Sequence, residues 1–240
     1  MLTRKECAQI LKVKKRIVDN LIRKKILPAV SARQVEESDL DYMLRSMSDE
    51  HRYQNTIQRL FEIIELFKKS KFQIPNVLKG MIGECLVMKE LVSQDHLKNS
   101  IILYFGGTLP DADIIVDGKG IQVKTQFPHE GIIKGAKCFS SPTVRKDSWK
   151  RFEFLVLVIM KDNILDKPDF YIFHNREVDR YFSPVGCWSG KKGDRTIFFI
   201  KRYDYKRVTT SGKKIINHYN TPEYSSLFEY SKGNWSKIRP

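Results

Sequence analysis

One stretch narrows the choice of fold more than any other: Pro110-Asp111-Ala112-Asp113-Ile114-Ile115-Val116-Asp117-Gly118-Lys119-Gly120-Ile121-Gln122-Val123-Lys124. Two β-branched runs flank Asp117-Gly118-Lys119-Gly120, residues that tolerate the positive φ of a tight hairpin. With Gly118-Lys119 as the loop residues, Val116 pairs with Ile121, Ile115 with Gln122, and Asp113 lies opposite Lys124. Side chains alternate along a strand, so Asp113, Gln122 and Lys124 share one face while Ile114, Val116, Ile121 and Val123 cover the other. The apolar face suits a core. The polar face is either the solvated side of an edge hairpin or a site.

As a site, it has the chemistry of a metal and a phosphate. The carboxylate of Asp113, the amide oxygen of Gln122 and the backbone carbonyl of Val123 are hard oxygen donors of the kind that hold Mg²⁺, which keeps several waters for substrate and nucleophile. Mn²⁺ is expected to substitute. Lys124 beside the ion would orient or help deprotonate the attacking water and offset charge growing on the phosphate. Asp111 has the same parity as Asp113 and stays open as the acidic ligand. Asp113 is favoured because it faces Lys124 in this register and directly precedes the apolar run. Gln126 shares the face of Lys124, and His129, just after Pro128, reads as a turn residue outside the catalytic set.

Pro110-Asp111 or Asp113, followed by Gln122-Val123-Lys124, resembles the PD-(D/E)XK, or restriction-endonuclease-like, nucleases in the variant with glutamine before X-Lys. Upstream, Lys79-Gly80-Met81-Ile82-Gly83-Glu84 is similar to the Gly-Glu of the helix that precedes the family's core sheet. The resemblance implies a three-layer α/β fold with a mixed sheet, Mg²⁺-dependent hydrolysis of DNA phosphodiesters, and Glu84 as a further metal ligand. The departure is Gln122, whose neutral amide binds Mg²⁺ more weakly than a carboxylate. A type II site-specific restriction endonuclease is the favoured expectation. A structure-selective repair or recombination nuclease, and a DNA-binding regulator that keeps the scaffold without turnover, are the alternatives.

At the amino terminus, Thr3 and Glu6 are spaced as a capping box before apolar residues at helical spacing. A polar turn over Lys12–Lys15 leads into a second short helix, Arg16–Lys24, with Ile17, Leu21 and Val18 inward. Ile26–Val30 reads as a short strand, Gln34-Val35-Glu36 as its return, and Ser38 as the cap of a helix through Leu44. That order resembles the excisionase and MerR-like winged helix-turn-helix modules. By resemblance, Lys14, Lys15, Arg16, Asn20 and Arg23 are the recognition-helix candidates for double-stranded DNA, with Arg33 on the wing. The other reading is a set of solvated helix faces used for protein contacts.

Charge agrees with a polyanionic partner: 43 Lys+Arg against 28 Asp+Glu leave a formal net charge of +15. Cys7, Cys85, Cys138 and Cys187 are scattered without paired spacing, which indicates neither a zinc site nor a disulfide framework and fits a reducing cytoplasm. The first residues lack the apolar segment of a signal peptide, and no apolar run is long enough to span a membrane. The predicted organisation is a winged helix-turn-helix domain over 1–47, a linking helix over 48–72, and a nuclease domain over 73–240. In the last of these, a helix from Asn76 to about Asp95 precedes strands at Ile101–Phe105, Phe152–Met160, Phe170–His174 and Thr196–Lys201. A basic hairpin through Tyr203–Tyr219 would suit a nucleic-acid groove or a lysine-protected edge. Monomer and homodimer are both left open.

Overall fold

The computed structural model of the chain describes residues 1–31, 34–70, 74–105, 112–130, 137–138, 143–144, 151–161, 163–177, 195–196, 227 and 229–239. The chain divides into two compact units, Met1–Val123 with Ile238–Pro240, and Lys124–Lys237. Among the sequence-predicted features, Asp111, Arg33 and the 203–219 hairpin lie outside the described residues.

In the first unit, β1 (Leu2–Thr3) leads into α1 (Arg4–Ile10) through the expected capping box: the Thr3 hydroxyl accepts from the Glu6 N–H at 3.2 Å, and the Glu6 carboxylate accepts from the Thr3 N–H at 2.7 Å. The reciprocal pair satisfies two donors that a helix start otherwise leaves open. Helix α2 (Lys15–Arg23) buries Ile17, Val18 and Leu21, as the spacing requires. Two local expectations fail beyond it. Ile26–Val30 forms no strand: the Leu27 N–H bonds the carbonyl of Leu21 at 3.3 Å, Leu27 is wholly buried, and Pro28 has no N–H to give a ladder. Strand β2 (Gln34–Val35) pairs instead with β1, Leu2 opposite Val35, because the buried Val35 and the capped start of α1 meet there. Helix α3 (Glu37–Met47) then begins one residue before Ser38, with Glu36 as its N-cap and no side-chain cap bond.

Helix α4 (Glu50–Lys69) starts where the Asp49 carboxylate accepts from the N–H groups of His51 and Arg52, and it buries Ile57, Leu60, Phe61 and Ile64. Helix α5 (Asn76–Val92) carries Glu84, and a short 3₁₀ turn at Asp95–Leu97 follows. Three strands complete the unit: β3 (Ile102–Tyr104), β4 (Ile114–Val116) and β5 (Lys119–Gln126). Leu103, Phe105 and Ile115 belong to one apolar cluster with the residues of α1, α2 and α3. Tyr104 meets Tyr53 of α4 and Glu84 of α5. Neighbouring residues on a strand point to opposite faces, so helices flank this part of the sheet on both sides.

Short backbone pairings open the second unit: β6 (His129–Glu130) with β7 (Lys137–Cys138), and β8 (Thr143–Val144) with a later strand, β11 (Arg195–Thr196). Between them, β9 (Phe154–Ile159) is buried along its whole length and pairs antiparallel with β10 (Asp169–His174), as expected of so apolar a run. Near the end of the unit, Trp235 packs on Phe170 with ring centroids 5.2 Å apart. Asp169 is held by Lys161 and by Lys232 at 3.1 Å. Burial raises the carboxyl of Asp169, but hydrogen bonds from the two ammonium groups outweigh it and hold the group below the usual range.

The sheet is mixed, in the order β10-β9-β5-β4-β3. The fold is α/β, as the residue pattern predicts. No described helix is long and apolar enough to cross a membrane.

Candidate functional site

The hairpin forms, in a register that differs from the sequence expectation. Val116 pairs with Lys119, Ile115 with Gly120 and Ile114 with Ile121, so the two loop residues are Asp117 and Gly118 and not Gly118 and Lys119. Both have positive φ, 47° and 85°, which is what the two centres of a type I′ turn require. The choice is made from outside the hairpin. The Lys12 ammonium bonds the Asp117 carboxylate at 2.6 Å, the Asp117 N–H bonds the carbonyl of Ile101 at 2.9 Å, and the backbone carbonyl of Lys12 lies against Gly118, where a Cβ would approach it to 2.4 Å. Burial pushes the Asp117 carboxyl up, but hydrogen bonds from Lys12, Ser100 and Ile101 together hold it below the ordinary carboxylate range.

Asp113 therefore lies level with Gln122, not with Lys124. Just before β4 the ladder breaks: the Asp113 carbonyl still accepts from the N–H of Phe105 at 3.1 Å, while its own N–H turns to the carbonyl of Ile121 at 2.9 Å. Asp113 and Ile114 thus both address Ile121, the pattern of a β-bulge, which re-aims a side chain and ends regular pairing. The carboxylate of Asp113, only 6% exposed, then takes over where the ladder stops. Its Oδ2 accepts from the N–H of Val123 at 2.7 Å and from the side-chain amide of Gln122. Of the sequence candidates, Asp113, Gln122 and Val123 are thus brought into direct contact.

Glu84 comes to the same end of the sheet from the face of Ile114, opposite the face that Gln122 and Lys124 share along β5. Its buried carboxylate accepts from the Tyr104 hydroxyl at 3.0 Å, and Tyr104 is opposite Ile114, the residue after Asp113. Neighbouring groups are strongly desolvated. Burial, reinforced by Cys85 and Glu84, pushes the Tyr104 hydroxyl well above the usual phenol value, and burial pushes the Cys85 thiol up to about 11. Tyr104 was hidden in the sequence within the apolar run Ile101–Phe105; its phenol in an otherwise aliphatic and aromatic strand was the available signal. Lys124 follows Val123 on β5, is half-buried, and by alternation leaves the strand on the side of Gln122.

The donor set suits a hard cation, with one proviso set by Gln122. Among the described residues, no three His, Cys, Asp or Glu side chains lie close enough to hold a metal together, so a Mg²⁺ here would need the Gln122 and Val123 oxygens. Gln122 now turns its NH₂ to Asp113. To ligate, it must present Oε1 instead, which sets two oxygens against each other unless a cation lies between them.

The amino-terminal cations line the outer side of α2. Lys14, Lys15, Arg16 and Arg23 are exposed and Asn20 is half-buried, its amide oxygen accepting from Arg23 at 2.5 Å. Lys15 pairs with Asp19 at 3.1 Å, and Arg4 with the same carboxylate at 2.9 Å. The turn that precedes α2 is the one whose Lys12 locks the hairpin. The chain matches no protein-family model, no curated protein and no solved structure.

Proposed function

We propose that the protein is a Mg²⁺-dependent DNA endonuclease, most plainly a type II site-specific restriction enzyme, acting on double-stranded DNA. The observation that carries this reading is the bulge at Asp113, which takes a buried carboxylate out of the ladder and sets it against Gln122 and Val123, at the sheet end that also receives Glu84. Bulges that aim side chains gather at active sites, and a buried carboxylate in such a place is a candidate for chemistry beyond its structural bond. Asp113, Glu84, Gln122 and the Val123 carbonyl would hold the ion, which supplies a water of lowered pKa and neutralises phosphate charge. Lys124 would orient the water, and Lys14 at the N-cap of α2 with Lys15, Arg16, Asn20 and Arg23 along it would position the duplex in the manner of a winged helix-turn-helix.

Lys124→Ala is expected to lower the single-turnover cleavage rate of duplex DNA in Mg²⁺ by at least about 10²-fold, the scale of one lost electrostatic stabiliser, with binding in Ca²⁺ nearly unchanged. Cleavage at the wild-type rate would remove the assigned site. Digesting a sequenced plasmid and a branched duplex side by side separates site-specific from structure-selective cutting.

A non-catalytic DNA-binding regulator is the second reading, favoured by the Gln122 amide bonded directly to Asp113. Tight, salt-dependent duplex binding with no cleavage in Mg²⁺ or Mn²⁺ would select it.

A further inference from the structure

The tyrosine that meets Glu84 is built in from three sides. Tyr104 ends β3, so its backbone is fixed by the pairing with Ile114 that also anchors the Asp113 bulge. Its ring meets Tyr53 of α4 edge to face, with centroids 6.3 Å apart and planes at 80°. Tyr53 is pinned in turn, its hydroxyl donating to the carbonyl of Met47 at 2.8 Å. A phenol so held has almost no rotamer freedom left, and its hydroxyl donates to Glu84 Oε2 at 3.0 Å.

Filling space alone does not require this hydroxyl, since a phenylalanine would occupy the same volume in a strand of apolar neighbours. A long glutamate side chain that must meet an ion, by contrast, gains from a partner that fixes one oxygen and so aims the other. Partners behind a metal's own ligands act in this way, and their loss costs about 10–100-fold in metal affinity.

We propose that Tyr104 is a positioning residue for Glu84: by holding Oε2 it sets the rotamer in which Oε1 is directed to the cation. The inference rests on the assignment of Glu84 as a metal ligand, made above.

The test is Mn²⁺ binding, by calorimetry on the full chain, to the wild type, Tyr104→Phe, Glu84→Gln and the double variant, with thermal unfolding of each. Tyr104→Phe is expected to weaken Mn²⁺ binding by about 10–100-fold. In the Glu84→Gln background the same change is expected to add nothing, because the carboxylate it positions is gone. An equal loss in both backgrounds would mean general damage to the fold and would overturn the proposal, as would wild-type affinity in Tyr104→Phe while Glu84→Gln binds weakly. Wild-type affinity in Glu84→Gln, or no binding by the wild type, would instead overturn the ligand assignment, and the role of Tyr104 with it.

Discussion

Asp113 does two jobs that substitution can separate. Its Oδ2 is the acceptor for the N–H of Val123 at the point where backbone pairing ends, so truncation leaves a buried donor without a partner. Asp113→Ala is expected to cost about 1–3 kcal/mol of folding stability for that reason. Asp113→Asn keeps an oxygen for the same N–H and is expected to stay within about 1 kcal/mol of the wild type, the scale of one ordinary hydrogen bond. Under the nuclease reading it loses cleavage all the same, because the charge that binds the ion is gone. Urea midpoints alongside plasmid digests check both halves, and an active Asp113→Asn would show that this carboxylate serves structure alone.

At the scale of elements, the most consequential contact joins two turns far apart in sequence. The turn between α1 and α2 lays the carbonyl of Lys12 on Gly118 and its ammonium on Asp117, so the amino-terminal helices and the hairpin are mechanically one piece. Gly118 is needed twice, for its φ of 85° and for the absence of a Cβ beside Lys12. Gly118→Ala is expected to lose about 1–3 kcal/mol from backbone strain alone, and more from the collision, since the new Cβ meets the backbone carbonyl of Lys12 and neither can swing away. A lowered urea midpoint with an unchanged slope is the expected result; a variant as stable as the wild type would contradict the packing. Under the proposed function, this coupling would hold the DNA-facing helix at a fixed offset from Asp113.

For the whole molecule, charge is the property that reaches furthest. An excess of +15 attracts any polyanion, and under the proposed function a duplex would lie along the exposed cations of α2 and its N-cap. If Lys14, Lys15 and Arg16 each neutralise a phosphate, replacing all three by alanine reduces the slope of log affinity against log salt by about 2–3, since each contact contributes roughly 0.9. Fluorescence anisotropy on a labelled duplex over a salt series measures it. An unchanged slope would place the interface on another face of the protein.

Much of the fold was legible from local pattern. The capping box at Thr3 and Glu6, the buried positions of α2, the wholly apolar β9 and the presence of a tight hairpin within Asp117–Gly120 all follow from periods of 3.6 and 2 and from backbone preferences that each segment carries alone. The meeting of Asp113 with Gln122 was legible too, because moving the turn by one position shifts the partner by two residues and keeps the alternation of faces along β5. For that same reason the register itself could not be read. Two turns of equal local merit compete there, and contacts from Lys12 and Ile101 choose between them. The bulge at Asp113, the pairing of β2 with β1 and the bond from Tyr104 to Glu84 are likewise decisions of tertiary structure. Each satisfies a backbone or carboxylate group with a partner distant in sequence, and a periodicity that extends over a few residues holds no information about such partners.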